Sequence, residues 1–270
     1  MRFHRHVILL GLALVGCATS PKPAVSSTEE VQGPPALVLW SLEVSPGIDL
    51  SARFAAYPSG VIIYRKRRPH SEAPRYMQAQ LSQEQYARLL GPARVNPLSY
   101  LGENYFLAEA TEEPDHILQW RTEEDRLRQI LVSGVLEEGD QWPDRARTPS
   151  AYLSLFDALV AFDSPNARPY IPESFEVILT RAGGGAVAQW PSEWPIPLPA
   201  SVTTENDERL TAVFPGSRLE QVYRWIWEHE RAGQLVGFNG NPYRAQVYVV
   251  LPGNPEVLSS SYDAEPIYCH

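Results

Sequence analysis

Residues 235–251 of the chain read LVGFNGNPYRAQVYVVL and contain the clearest fold signal in the sequence. Apolar and β-branched residues flank the dipeptide Asn239-Gly240 on both sides. Asn-Gly is typical of a two-residue type I′ turn, which needs positive φ at both positions and joins two antiparallel strands. The stretch therefore predicts a hairpin with strands at 235–238 and 243–251.

Similar signals upstream predict further strands and three helices. Apolar runs bounded by turn residues predict strands at about 36–44, 50–57, 61–65, 75–80, 105–110, 116–121, 126–133, 174–181 and 210–214. Each helix has a predicted N-terminal cap: Ser82 with Gln85, Thr148 with Pro149, and Ser217 with Glu220. Since neighbouring strands are joined by short turns, we predict an α+β fold: a mostly antiparallel sheet with about three helices packed on it.

Two glycines mark the ends of predicted helices. Gly91-Pro92 is expected to end the first helix, because proline cannot continue the hydrogen-bonding pattern. Gly233 fits the position just after the last helix, where positive φ is common. Both assignments depend on local sequence alone.

The chain divides by composition into four segments. Residues 1–16 read as an export signal, and residues 17–35, rich in Pro, Ser and Thr, as a disordered tether. Residues 36–262 are predicted to form the globular domain, and residues 263–270 a loose tail. The proline-rich stretch 163–172 leaves open a division of the globular part into two halves.

The first 17 residues indicate the cellular location of the protein. Arg2 and Arg5 precede an apolar run at 7–15, which is far shorter than the about 20 residues that cross a bilayer. The run ends in Leu14-Val15-Gly16-Cys17, which resembles the lipobox of bacterial lipoproteins at all four positions. In that family the cysteine thiol receives diacylglycerol, the signal is cut before it, and the new amino group is acylated. The alternative is an ordinary secretory signal cleaved near Ala18.

The lipoprotein resemblance implies a location and an anchor. Cys17 would carry the fatty chains, and two or three chains hold a protein stably because each buried CH₂ contributes about 0.8 kcal/mol. The expected location is the bacterial cell envelope, with the protein facing the periplasm or the exterior. Residue 18 is Ala and not Asp, which favours the outer membrane. The protein would then contact the membrane only through this lipid anchor.

Charge and cysteine content exclude several classes of function. Loss of Arg2 and Arg5 with the signal takes the formal net charge from −9 to −11, which argues against nucleic acid as a partner. The chain has two cysteines, Cys17 and Cys269, so a lipidated Cys17 leaves no internal disulfide. We expect the body to be stabilised by its apolar core.

No catalytic, metal or cofactor motif stands out. The chain has no GxSxG nucleophile elbow, and Ser217 is better interpreted as a helix cap. The histidines after the signal, His70, His116, His229 and His270, match no HExxH spacing. Acidic turns near 112–115, 123–125 and 137–140 are expected to be solvated, with a Ca²⁺ site as the weaker alternative. We predict no metal, no cofactor and no catalytic residue.

Two local patterns are candidates for binding. Trp190-Pro191-Ser192-Glu193-Trp194-Pro195 holds two indoles among prolines, so Trp190 and Trp194 could form a platform for sugar rings or a peptide, or a lid over one face of the sheet. Residues 65–68, RKRR, could face lipid phosphates, or could be a solvated hairpin end.

The body is similar, weakly, to secreted bacterial proteins of unknown function that share a proline-rich turn, a WPxxWP loop and a late hairpin. This resemblance implies no activity. We therefore predict a membrane-anchored, non-catalytic module that binds an envelope protein or a polysaccharide. The alternative is an exported hydrolase whose site brings His70, His116 or His229 against a Ser, Asp or Glu from elsewhere in the chain.

Overall fold

The computed structural model describes residues 31, 33–42, 49–66, 72–94, 98, 101, 104–107, 114–122, 124, 126–136, 143–199 and 209–253. Within these ranges the chain is α+β, with 14 strands in two sheets and four α-helices. The α+β class and the mostly antiparallel pairing are confirmed. The predicted single sheet is replaced by two sheets, because the strands that begin at residue 174 or later form a ladder of their own.

The first sheet contains eight strands. In spatial order they are β5 (Asn104–Phe106), β7 (Leu127–Ser133), β6 (Asp115–Arg121), β1 (Leu37–Leu42), β2 (Ala52–Ala56), β3 (Val61–Lys66), β4 (Arg75–Gln80) and β8 (Arg168–Tyr170). Neighbours are antiparallel except β5 and β7, which are parallel. All six residues of β1 are buried, so this strand lies in the interior of the domain.

Helices cover one face of the first sheet. They are α1 (Gln83–Arg94) and α3 (Ser150–Val160), and the short helix α2 (Pro143–Arg147) directly precedes α3. Leu37 and Leu39 of β1 pack in one core cluster with Tyr152 and Phe156 of α3. Residues at alternate positions of β1 belong to a second cluster, which also contains residues of the second sheet and of the helix at Leu219–Arg231.

The second sheet contains six strands. In spatial order they are β10 (Val187–Gln189), β13 (Leu235–Phe238), β14 (Asn241–Val249), β9 (Ser174–Arg181), β12 (Arg209–Pro215) and β11 (Leu198–Pro199). Helix α4 (Leu219–Arg231) follows β12 after a 3-10 turn at Gly216–Arg218 and buries Val222, Tyr223 and Ile226. The turn between β13 and β14 has φ of 49° at Asn239 and 77° at Gly240, which confirms the predicted hairpin.

Residues 49–51 join the two sheets. The main-chain N–H of Leu50 donates to Val247 O (2.9 Å), and the N–H of Val249 donates to Ser51 Oγ (2.8 Å). The carboxylate of Asp49 lies 2.5 Å from the guanidinium of Arg65, at the end of β3. The segment that leads into β2 therefore also borders the second half of β14.

Tertiary packing overrides two of the three predicted caps. The capping box of α1 is confirmed, since Ser82 N–H donates to Gln85 Oε1 and Gln85 N–H to Ser82 Oγ. Thr148 does not cap α3, because its hydroxyl donates to Asp144 O and closes α2. Ser217 lies inside the 3-10 turn, where Gly216 packs directly against Pro172 O and leaves no room for a side chain.

Other sequence assignments have mixed outcomes. Gly91-Pro92 does not end α1, which runs to Arg94; a proline in the last turn removes only one main-chain donor. Gly233 follows α4 with φ of 70°, as predicted. Cys17 and its tether lie outside the described residues. None of the described helices has both the length and the apolar character that crossing a bilayer requires.

Candidate functional site

The Trp190–Pro195 loop packs its indoles against the second sheet. Trp194 is 5% exposed and its ring lies 5.4 Å from Phe214 and 5.0 Å from Trp225 of α4. Trp190 is half-buried, and its indole N–H donates to Pro195 O at 3.0 Å. The two indoles meet edge to face, with 5.2 Å between ring centroids. This is the arrangement of a lid, and the buried ring of Trp194 has no open face.

A strip of exposed aliphatic side chains lies beside this loop. Ile196 is 72% exposed, Leu198 64% and Val213 55%. Leu198 pairs with Thr211 in the register of β11 and β12, so Leu198 and Val213 project from the same face of the second sheet. We call Ile196, Leu198 and Val213 the aliphatic strip. It is the opposite face from Phe214, whose ring contacts the Trp loop.

Prolines block the outer edge of this sheet. Pro195, Pro197 and Pro199 alternate with Ile196 and Leu198, and none of the three has a main-chain N–H. In the ladder of β11 and β12, Leu198 must be the residue that exchanges hydrogen bonds with Thr211, because Pro199 cannot donate to Leu210. The nitrogens of Pro197 and Pro199 then face outward. The edge cannot donate at these positions to another strand, which is how native sheets avoid edge pairing.

Among the three candidate histidines, His116 meets a serine, inside the protein core. Ser41 Oγ and His116 Nδ1 lie 2.9 Å apart across β1 and β6, and the two residues are 3% and 1% exposed. The ring of Phe156 lies 4.9 Å from the imidazole, and Tyr152 donates its hydroxyl proton to His116 O. Helix α3 therefore covers the pair. A serine and a histidine in this position stabilise the interior and have no path to a substrate.

The neighbouring Asp115 forms a second polar pair. Its carboxylate accepts a hydrogen bond from the Ser133 hydroxyl on β7. Burial raises the pKa of Asp115, and the Ser133 hydrogen bond opposes that shift. The carboxylate and the imidazole of His116 project to opposite faces of β6, because successive side chains of a strand alternate. Asp115 and His116 therefore do not form one catalytic unit.

The other described histidine, His229, lies at the end of α4. Its Nδ1 is 2.7 Å from Gln234 Oε1, and its ring lies 4.4 Å from Trp225. The adjacent Glu230 has a pKa raised to about 7, because the carboxyl is partly buried; the charge of Arg244 opposes the shift. His70 and His270 lie outside the described residues.

A cavity of about 360 Å³ opens where α3 ends. Its lining combines apolar side chains with charged ones, and consists of Tyr64, Arg65, Lys66, Leu136, Phe156, Asp157, Val160, Ala161, Phe162 and Asp163. Tyr64 donates its hydroxyl proton to Asp163 Oδ1 (2.7 Å), and Lys66 Nζ lies 3.7 Å from Asp163 Oδ2. This hydrogen bond from Tyr64 lowers the pKa of Asp163, and the charge of Lys66 acts in the same direction.

The first two residues of the basic run are used in ion pairs within the domain. Arg65 pairs with Asp49 and Lys66 with Asp163. Arg67 and Arg68 lie outside the described residues. Among the described residues no three His, Cys, Asp or Glu side chains come together as metal ligands would.

Sequence reasoning missed the cavity and the aliphatic strip for different reasons. The cavity joins Tyr64 to Asp163, about a hundred positions apart in the chain, and no local pattern links them. The strip could have been predicted, because prolines alternating with aliphatic residues at 195–199 are typical of a protected edge strand.

Comparison of the chain with protein-family models, with curated proteins and with solved structures found no match.

Proposed function

We propose that the protein is a lipid-anchored module of the bacterial cell envelope that binds another protein and carries out no catalysis. The anchor is supported by the short apolar run at 7–15 followed by Leu14-Val15-Gly16-Cys17. The binding role is supported by one observation above all: Leu198 and Val213 project from the same face at the edge of the second sheet, Ile196 lies two residues before Leu198, and each side chain is more than half exposed. Apolar side chains grouped on a surface mark sites of interaction with other proteins.

The chemistry of this surface favours a protein over a polysaccharide. Sugar rings stack on the exposed face of an aromatic ring, but Trp194 is buried, and Trp190 is half-buried with its ring in contact with Trp194 and Phe214. The side chains that do reach solvent are aliphatic. Aliphatic side chains stabilise a complex by apolar burial against a complementary protein surface. The Trp loop then has an indirect role, holding the strip in place.

The geometry also restricts how the partner binds. Because Pro197 and Pro199 leave no outward donors on the edge, an added strand is disfavoured and the contact is made through side chains. Glu193 is exposed in the same loop, and Glu176 lies directly across from Val213 on β9. We therefore expect a partner with an apolar centre and basic residues at its rim.

The hydrolase alternative gains no support from the described histidines. Ser41 and His116 are in contact, but helix α3 separates them from solvent. His229 contacts Gln234 and Trp225, neither of which could act as a nucleophile or as a carboxylate partner.

The experiment is photocrosslinking of the full-length protein in cells, together with labelling by radioactive palmitate. A photoreactive amino acid at Leu198 should give one discrete crosslinked protein, and Ile196→Asp should abolish that product by placing a charge in the apolar contact. Palmitate should enter the wild-type protein and not the Cys17→Ser variant.

The control position is Leu127 on β7, which is 54% exposed and lies on the first sheet. The same photoreactive residue there should give no discrete product. Equal products from both positions would refute the binding surface, and palmitate in both the wild type and Cys17→Ser would refute the anchor.

A further inference from the structure

The cavity at the end of α3 is separate from the aliphatic strip and has the features of a small-molecule site. Its volume of about 360 Å³ falls within the range of ligand pockets. Val160 and Phe162 supply the apolar wall that reaches solvent, and the buried side chains of Leu136 and Phe156 lie behind it. The ring of Phe162 packs edge to face on Tyr64, with 5.0 Å between centroids, so this wall is held by aromatic contacts.

The charges at the cavity decide which ligand it favours. Arg65 is paired with Asp49 at 2.5 Å, on the other side of β3. Asp157 is held by Arg145 through two hydrogen bonds, of 3.0 and 2.5 Å. Each of these four charges therefore has an opposite charge as its partner. The remaining charges at the cavity are those of Asp163 and Lys66, whose contact of 3.7 Å is loose and whose side chains are 61% and 50% exposed.

Asp163 is prepared to receive a positive group. Its Oδ1 accepts the Tyr64 hydroxyl (2.7 Å) and the main-chain N–H of Ser164 (3.0 Å), which fix the carboxylate in one orientation. The last turn of α3 also ends at the cavity with Val160 and Ala161, and the C-terminal end of a helix carries a partial negative charge. Lys66 is a flexible, exposed side chain that can turn away when a ligand enters.

We propose that this cavity binds a small organic cation, a primary ammonium group on an aromatic or aliphatic body. The ammonium group lies against Asp163 and the C-terminal end of α3, and the body lies on the wall formed by Val160 and Phe162. Asp163 is the residue that determines the charge of the ligand, and the apolar wall determines its shape.

The test is calorimetric titration of the full-length protein in detergent with three probes that share one ring system. They are 1-naphthylmethylamine, 1-naphthalenemethanol and 1-naphthoate, which are cationic, neutral and anionic at pH 7. The amine should bind about tenfold more tightly than the carboxylate, with the alcohol between them. Asp163→Asn should weaken binding of the amine about two- to fivefold and leave the alcohol unchanged.

Binding of the alcohol to Asp163→Asn also shows that this variant is folded with its cavity intact. Glu84→Gln is the matched control, because it removes one exposed carboxylate on α1 and should alter no affinity. Tighter binding of the carboxylate than of the amine would overturn the proposal, as would an unchanged amine affinity in Asp163→Asn or the absence of binding by all three probes.

Discussion

The two sheets differ in how many of their faces are buried. In the first sheet all six residues of β1 are buried, with Leu37 and Leu39 against the helices and Val38, Trp40 and Leu42 in the other core cluster. In the second sheet β9 alternates: Phe175, Val177 and Leu179 are buried, whereas Glu176, Ile178 and Thr180 are only partly covered. The central strand of the first sheet is covered on both faces, whereas one face of the second sheet is only partly covered along β9.

This difference explains where the candidate sites lie. A strand buried on both sides has no surface for a ligand, so the polar pair of Ser41 and His116 in the first sheet is structural. The cavity lies where α3 and β3 end. On the second sheet the edge strand itself reaches solvent, and the aliphatic strip lies there.

The largest effect is expected when a leucine is replaced by alanine in each of the two sheets and the two variants are compared. Leu39→Ala removes a side chain that is fully buried in β1 and should lower the free energy of unfolding by about 2–5 kcal/mol. Leu198→Ala removes a side chain that is 64% exposed and should change it by less than about 0.5 kcal/mol. Urea denaturation measures both values. Similar losses in the two variants would mean that the strip is part of a core and that the two sheets do not differ in this way.

A smaller effect should come from the polar pair in the first sheet. Ser41→Ala removes the buried hydroxyl that contacts His116 Nδ1, and should lower the free energy of unfolding by about 1–3 kcal/mol. Ser154→Ala, at an exposed position of α3, is the matched control and should have almost no effect. Equal stability of Ser41→Ala and the control would show that the hydrogen bond contributes nothing to the first sheet.

The smallest effect should be a pH dependence in the helix that covers the second sheet. The pKa of Glu230 is about 7 in the folded protein and has an ordinary value of 4.5, so the folded state binds more protons between these two pH values. Stability contributed by this group is therefore lost as the pH rises from 4.5 to 7. Glu230→Gln should be more stable than the wild type at pH 8, by on the order of 1 kcal/mol after allowance for solvent screening.

The advantage of Glu230→Gln should disappear below pH 4.5, and melting curves over this range measure it. Glu228→Gln, two residues away on the exposed side of α4, is the matched control for the removal of one carboxylate. A constant difference between Glu230→Gln and the wild type across the range would contradict a titrating carboxyl at this position.

Local signals predicted most of the strands, and the hairpin at Asn239-Gly240 most clearly. They succeeded where the structure depends on a few adjacent residues, as in the turn geometry and the capping box of Ser82 and Gln85. The cap predictions at Thr148 and Ser217 were wrong. The Thr148 hydroxyl bonds to α2 instead, and Ser217 lies in a 3-10 turn in which Gly216 is in close contact with Pro172. The short strands β8, β10 and β11 were also missed, because two or three residues carry no periodicity.

The candidate binding residues were predicted less well than the fold. The sequence indicated the Trp190–Pro195 loop, but the exposed side chains are its neighbours Ile196 and Leu198. The presence of two tryptophans in the loop does not show how much of each ring is buried, because that depends on Phe214 of β12 and Trp225 of α4. The sequence around Tyr64 and around Asp163 likewise does not predict the contact between these two side chains.

The sequence alone determined the class of the fold, the strand pattern and the expectation of a lipid anchor at Cys17, because each depends on residues that are adjacent in the chain. Only the tertiary structure decided that the strands form two sheets, that Ser41 and His116 meet in the core, and that Asp163 lies beside an apolar cavity. Those outcomes depend on which surfaces are brought together when apolar area is buried, and residues about a hundred positions apart contribute to a single contact.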